Sequence, residues 1–99
     1  MTPAELQQSA HTDAAPPPGL SPEIVTLWLI KAKRWEEAHA IAQEIPSRIG
    51  SWLHALLHLI EGDIGNAGYW FARANRPMVP PVEIDAEWIR LAEAILMEP

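Results

Sequence analysis

The chain contains no cysteine. That excludes disulfides, thiol nucleophiles and thiolate metal sites, and fits a reducing compartment, so a cytoplasmic location is expected. Positive charge is also scarce: seven Lys and Arg face thirteen Asp and Glu, for a net charge of −6. A phosphate-backbone partner requires a dense basic patch to release counterions, so no nucleic-acid partner is expected. The basic residues fall in two small groups, Lys31-Lys33-Arg34 and Arg73-Arg76, and neither is dense enough for that role. No apolar run approaches membrane-spanning length, and the N-terminus lacks a basic segment leading into an apolar core, so no membrane partner is expected. "GDIG" is too short for a phosphate loop and lacks its lysine. Ser9, Ser21, Ser47 and Ser51 lack a nucleophile-elbow context. No segment sustains period-two alternation, so strands are not expected. These absences disfavour most enzyme classes.

What is present suits a single globular domain. Ninety-nine residues suffice for one modest core, and 48% hydrophobic with 20% charged residues is ordinary globular usage. Five tryptophans predict a tryptophan-rich core, or a contact surface built from some of them. Acids gather near the C-terminus, where Glu83, Asp85, Glu87, Glu93 and Glu98 face only Arg90.

Residues 1–20 are rich in Pro and Ala and read as a flexible tail; "AELQQSA" has the makings of a short helical turn, but "PPPG" forbids a helix. A helical domain is expected over 21–99. Ser21 is a natural N-cap with Pro22 at the first helical position, opening an apolar helix "EIVTLWLIKAK". A second helix, "RWEEAHAIAQEI", sets Trp35, Ala38, Ile41, Ala42 and Ile45 on one side and stops at Pro46. A third, Arg48 to Glu61, has a broad leucine-rich face and a narrow polar one carrying Ser51, His54, His58 and Glu61. Gly62 is the expected left-handed C-terminal residue, Asp63 caps the next helix and Asn66 closes the turn. The fourth helix, about 65–75, carries Ala67, Phe71 and Ala74 on one line, and the last, roughly Ile84 to Met97, follows a proline-rich loop. The expected fold is all-α: about five helices, two stacked antiparallel hairpins over 21–46 and 48–76, and a C-terminal capping helix.

The two halves align at a shift of 29 residues. The second resembles a tetratricopeptide repeat, in which a Gly-Asp turn is followed by an alanine, a large aromatic and another alanine, here Gly62, Asp63, Ala67, Phe71 and Ala74. It departs from that pattern at His54 and His58, where large apolar residues are usual, and in its short period. The stretch "LLHLIEGDIGNAGYWFARA" also resembles a group of small bacterial and fungal proteins with Trp-x-His, Leu-His, Glu-Gly-Asp, Asn-Ala, Tyr-Trp and Arg-Ala elements. That resemblance implies that Trp52, His54, His58, Glu61, Gly62, Asp63, Asn66, Tyr69, Trp70 and Arg73 form one motif. Arg76 stands before Pro77 where a histidine is frequent in that group.

Two functions are open on these residues. The TPR-like hairpins imply a protein–protein interaction or scaffold module, working through a protein partner or as a homodimer. Its contact residues would be Tyr69, Trp70, Arg73 and Arg76, a Tyr/Trp/Arg composition typical of interface hot spots, and no cofactor is expected. The alternative is a site for a divalent transition metal. His54, His58 and Glu61 stand at i, i+4 and i+7, on one helix face with neighbours about 5–6 Å apart, and two histidines with a carboxylate suit zinc or non-haem iron. His39 or Asp63 is the candidate fourth ligand. Ala55 occupies the position where a zinc hydrolase carries glutamate, so a hydrolytic centre is not expected. The competing view of the histidine face is a solvated polar surface.

Overall fold

A computed structural model describes residues 1–97, so Glu98 of the acidic run lies outside the described residues. The chain folds into six α-helices with one short 3-10 turn (Pro81–Glu83) and no strand among the described residues. In chain order these are α1 (Pro3–Thr12), α2 (Pro22–Lys31), α3 (Trp35–Ala42), α4 (Arg48–Glu61), α5 (Ile64–Arg73) and α6 (Ile84–Leu96).

The helix beyond the five expected is α1. Instead of a flexible tail, residues 3–12 form a helix docked on α2 and α6. Thr2 caps it: its hydroxyl accepts from the Glu5 amide at 3.1 Å while the Thr2 amide donates to Glu5 Oε1 at 2.8 Å. Leu6 is fully buried, and Ser9 Oγ accepts the Trp28 indole N–H at 3.0 Å. The tripeptide Pro16–Pro18 is then a link between two docked helices, not part of a free tail.

Helices α2 and α3 pack as one pair and α4 and α5 as another. The tight connections rest on left-handed backbone at Lys33 (φ 61°) and Gly62 (φ 84°). At the second turn Asp63 accepts from the Asn66 amide at 3.2 Å and from Asn66 Nδ2 at 2.7 Å, the capping role expected for it. Helix α4 is the centre of the molecule, in contact with α2, α3, α5 and α6. Leu53, Ala55, Leu56 and Leu57 are wholly buried on it. Gly50 admits the close approach of the α3–α4 connection, since a Cβ there would lie 2.0 Å from the Ile45 carbonyl oxygen.

Four tryptophans hold their indole N–H groups satisfied by partners far along the chain, as buried indoles require. Besides Trp28, Trp88 donates to the Leu27 carbonyl (3.0 Å), Trp52 to Glu87 Oε2 (2.8 Å) and Trp35 to the Leu57 carbonyl (2.7 Å). Glu87 is buried, and its second oxygen accepts from Arg90 Nη1 at 2.6 Å. Arg90 also pairs with Glu83 at 2.9 Å, which neutralises part of the acidic run.

Candidate metal centre

The polar face of α4 is solvated only at its ends, where Ser51 is half-buried and Glu61 exposed. Because α4 is the central helix, its narrow face is covered by α3 on one side and α5 on the other, and His54 is only 7% exposed. The His58 side chain is 11% exposed. Across from them, Trp35 and His39 stand one turn apart on α3 and stack on each other, with ring centroids 4.8 Å apart and planes at 10°.

Three imidazoles meet in this seam. His39 Nε2 and His54 Nε2 lie 2.9 Å apart, a hydrogen bond in which one ring donates and the other accepts. The His58 ring stacks beneath His54 at 4.9 Å and meets His39 edge-on at 5.4 Å. One ring nitrogen from each of the three lies within 4.8 Å of the others. His58 Nδ1 bonds to Glu61 Oε1 at 2.6 Å. With Nδ1 held by a carboxylate, Nε2 is the nitrogen His58 has free, the arrangement in which a second carboxylate shell orients a metal-ligating histidine.

Aromatic rings close the seam at both ends. Trp35 covers His39, and Trp70 of α5 stacks on His54 with centroids 4.0 Å apart and planes at 19°. Half-buried, Trp70 forms a wall of the histidine cluster. Arg73 lies 5.3 Å over the Trp70 ring, and its Nη1 donates to the Tyr69 hydroxyl at 3.0 Å. Tyr69 stays 53% exposed. Arg76 sits elsewhere, its guanidinium 4.1 Å above the Trp52 ring, so the four expected contact residues do not share one surface.

Burial sets the protonation of the seam. Loss of solvent, then the proximity of His39 and His58, pushes the His54 imidazole down from 6.5 to about 4. His39 is lowered too, by burial first and by His58 second, with Glu61 acting in the opposite sense. Both rings are neutral at physiological pH, the state that a metal requires of its ligands.

The grouping differs from the one the spacing on α4 suggested. His39, expected as an accessory, is one of the three converging rings. Glu61 stands behind His58 and does not join the three-histidine set, and Asp63, also near His58, is committed to Asn66. The i, i+4 pair Trp35/His39 on one helix and His54/His58 on the next was the available signal for the larger cluster. Trp70 carried no such signal, because its facing depends on how α5 turns back across α4.

No family model matches the chain, and no curated protein or solved structure matches it. Among the described residues, no helix is long and apolar enough to cross a membrane.

Proposed function

We propose that the protein binds one divalent transition-metal ion through the Nε2 atoms of His39, His54 and His58. The observation that carries this reading is the convergence of one buried and two partly buried imidazoles from two helices, one of them held by a carboxylate on its far nitrogen. Three histidines suit zinc, copper, nickel or iron(II), and they leave coordination positions for water or another ligand. A zinc–nitrogen bond of 2.0–2.1 Å and tetrahedral angles separate ligand nitrogens by about 3.3 Å. The 2.9 Å contact between His39 and His54 would therefore open by about 0.4 Å as the ion replaces their hydrogen bond. Trp35 and Trp70 restrict both rings to one orientation, which lowers the ordering cost of binding.

Calorimetric titration of chelator-stripped protein with zinc tests this. The expected result is one ion per chain, lost in His54→Ala and in His39→Ala while both variants retain their helical circular dichroism. Wild-type protein that takes up less than a tenth of an equivalent at neutral pH would overturn it.

A second reading, the interaction module with TPR-like hairpins, keeps one observation in its favour. Tyr69 is largely exposed and is held by Arg73, an aromatic anchor already ordered before any partner arrives. If self-association through this face is the function, Tyr69→Ala converts a dimer to a monomer in light scattering; a wild-type mass of one chain at high micromolar concentration removes the homodimer.

A further inference from the structure

The two lysines of the chain, Lys31 and Lys33, both line one groove. It has a volume of about 430 Å³ and runs beside α2, α4 and the start of α6, within the range of roughly 300–1,000 Å³ typical of small-molecule sites. Leu57, Ile60 and Ile84 supply apolar surface, and the rings of Trp35 and Trp88 flank it. Ile60 remains 38% exposed, an apolar cost that a ligand would remove.

The charges are distributed unevenly around this floor. Lys31 lies 4.8 Å over the Trp88 ring and 3.6 Å from Asp85, whose side chain is almost fully exposed. Lys33 makes no ion pair among the described residues and is exposed. Its left-handed backbone (φ 61°) costs about 1 kcal/mol in a residue other than glycine. His11 adds a third nitrogen at the end contributed by α1. A protein with net charge −6 thus places its lysines together on an apolar groove, with a single carboxylate among them.

We infer that this groove binds a medium-length monocarboxylate, an alkyl or aryl acid whose apolar body rests on Ile60 and Ile84 and whose carboxylate meets Lys33. Charge complementarity selects the acid over a neutral or cationic amphiphile of the same length, since the latter would face two lysines. The acid would also lie against Trp35, whose ring stacks on His39, so the groove shares a wall with the histidine cluster. The inference does not depend on metal binding.

Decanoate and decylamine, titrated separately into chelator-treated full-length protein by calorimetry, test it. Decanoate is expected to bind one to one and at least about tenfold more tightly than decylamine. Lys33→Glu should lose that tenfold preference, and Lys33→Asn, which tolerates the left-handed backbone and guards against a folding artefact, should lose most of it. Because chelator keeps the histidine cluster free of metal throughout, decanoate binding is read independently of zinc uptake, which separates failure here from failure of the metal reading. Equal affinity for the two amphiphiles, or undiminished decanoate binding in both Lys33 variants, would overturn the inference.

Discussion

Acidifying the metal-free protein should unfold it through His54. A ring lowered from 6.5 to about 4 is neutral in the folded protein and takes up a proton more readily once unfolded. The unfolded chain therefore gains protons first as pH falls. The stability linked to His54 is complete above about pH 6.5 and drains away between there and pH 4, below which both states are protonated. At about 1.4 kcal/mol for each pH unit, that displacement is worth about 3 kcal/mol, a large share of the stability of a domain this size. His39 is displaced in the same direction, so its contribution adds to the slope. Urea denaturation in the presence of chelator, at half-unit steps from pH 7.5 to 4.5, measures the effect. The wild type should lose at least about 2 kcal/mol over that span, and His54→Gln should show a visibly shallower slope. Unchanged stability between pH 7 and 5 would refute the claim that His54 is held neutral by its surroundings.

Gly50→Ala should destabilise the fold by about 3 kcal/mol or more, read from the urea midpoint, because the added methyl meets a backbone carbonyl that no rotamer change can move. Leu6→Ala should cost about 2–5 kcal/mol in the same assay if α1 is part of the core; a cost below about 0.5 kcal/mol would return residues 3–12 to a loosely attached tail. Glu61→Gln should weaken zinc binding about 10- to 100-fold without abolishing it, because the carboxylate orients His58 and does not itself ligate.

The helices of the domain were legible because their boundaries are written in local chemistry. Ser21-Pro22, Ser47 and Gly62-Asp63 mark ends that depend on neighbours within four residues, and α4 runs from Arg48 to Glu61 as its periodicity indicates, whereas α3 closes at Ala42, short of the expected stop at Pro46. The start of α1 was written in the same way, in "TPAE", a Thr-capped turn with proline first and glutamate third. The proline run that follows drew the reading toward a tail, although proline between two helices says nothing about whether the first one docks. What the sequence does not encode locally is which helix becomes central. A polar stripe on a peripheral helix faces water, whereas the same stripe on α4 faces two neighbours, and that difference moved His54 from a surface residue to a buried one. The packing of Trp70 and Arg76 is illegible for the same reason: their partners, His54 and Trp52, lie on another helix. Turn residues such as Asn66 posed no such difficulty, since Asp63 is three positions away.

The most direct test of the account is nitrogen-15 correlation spectroscopy of the histidine side chains during zinc addition. The chain has four histidines, and His11 on α1 serves as an internal control. The account predicts that His39, His54 and His58 each shift at Nε2 and saturate together at one equivalent, while His11 does not respond. A spectrum in which the three rings stay unmoved, or in which His11 responds as strongly as they do, would contradict it.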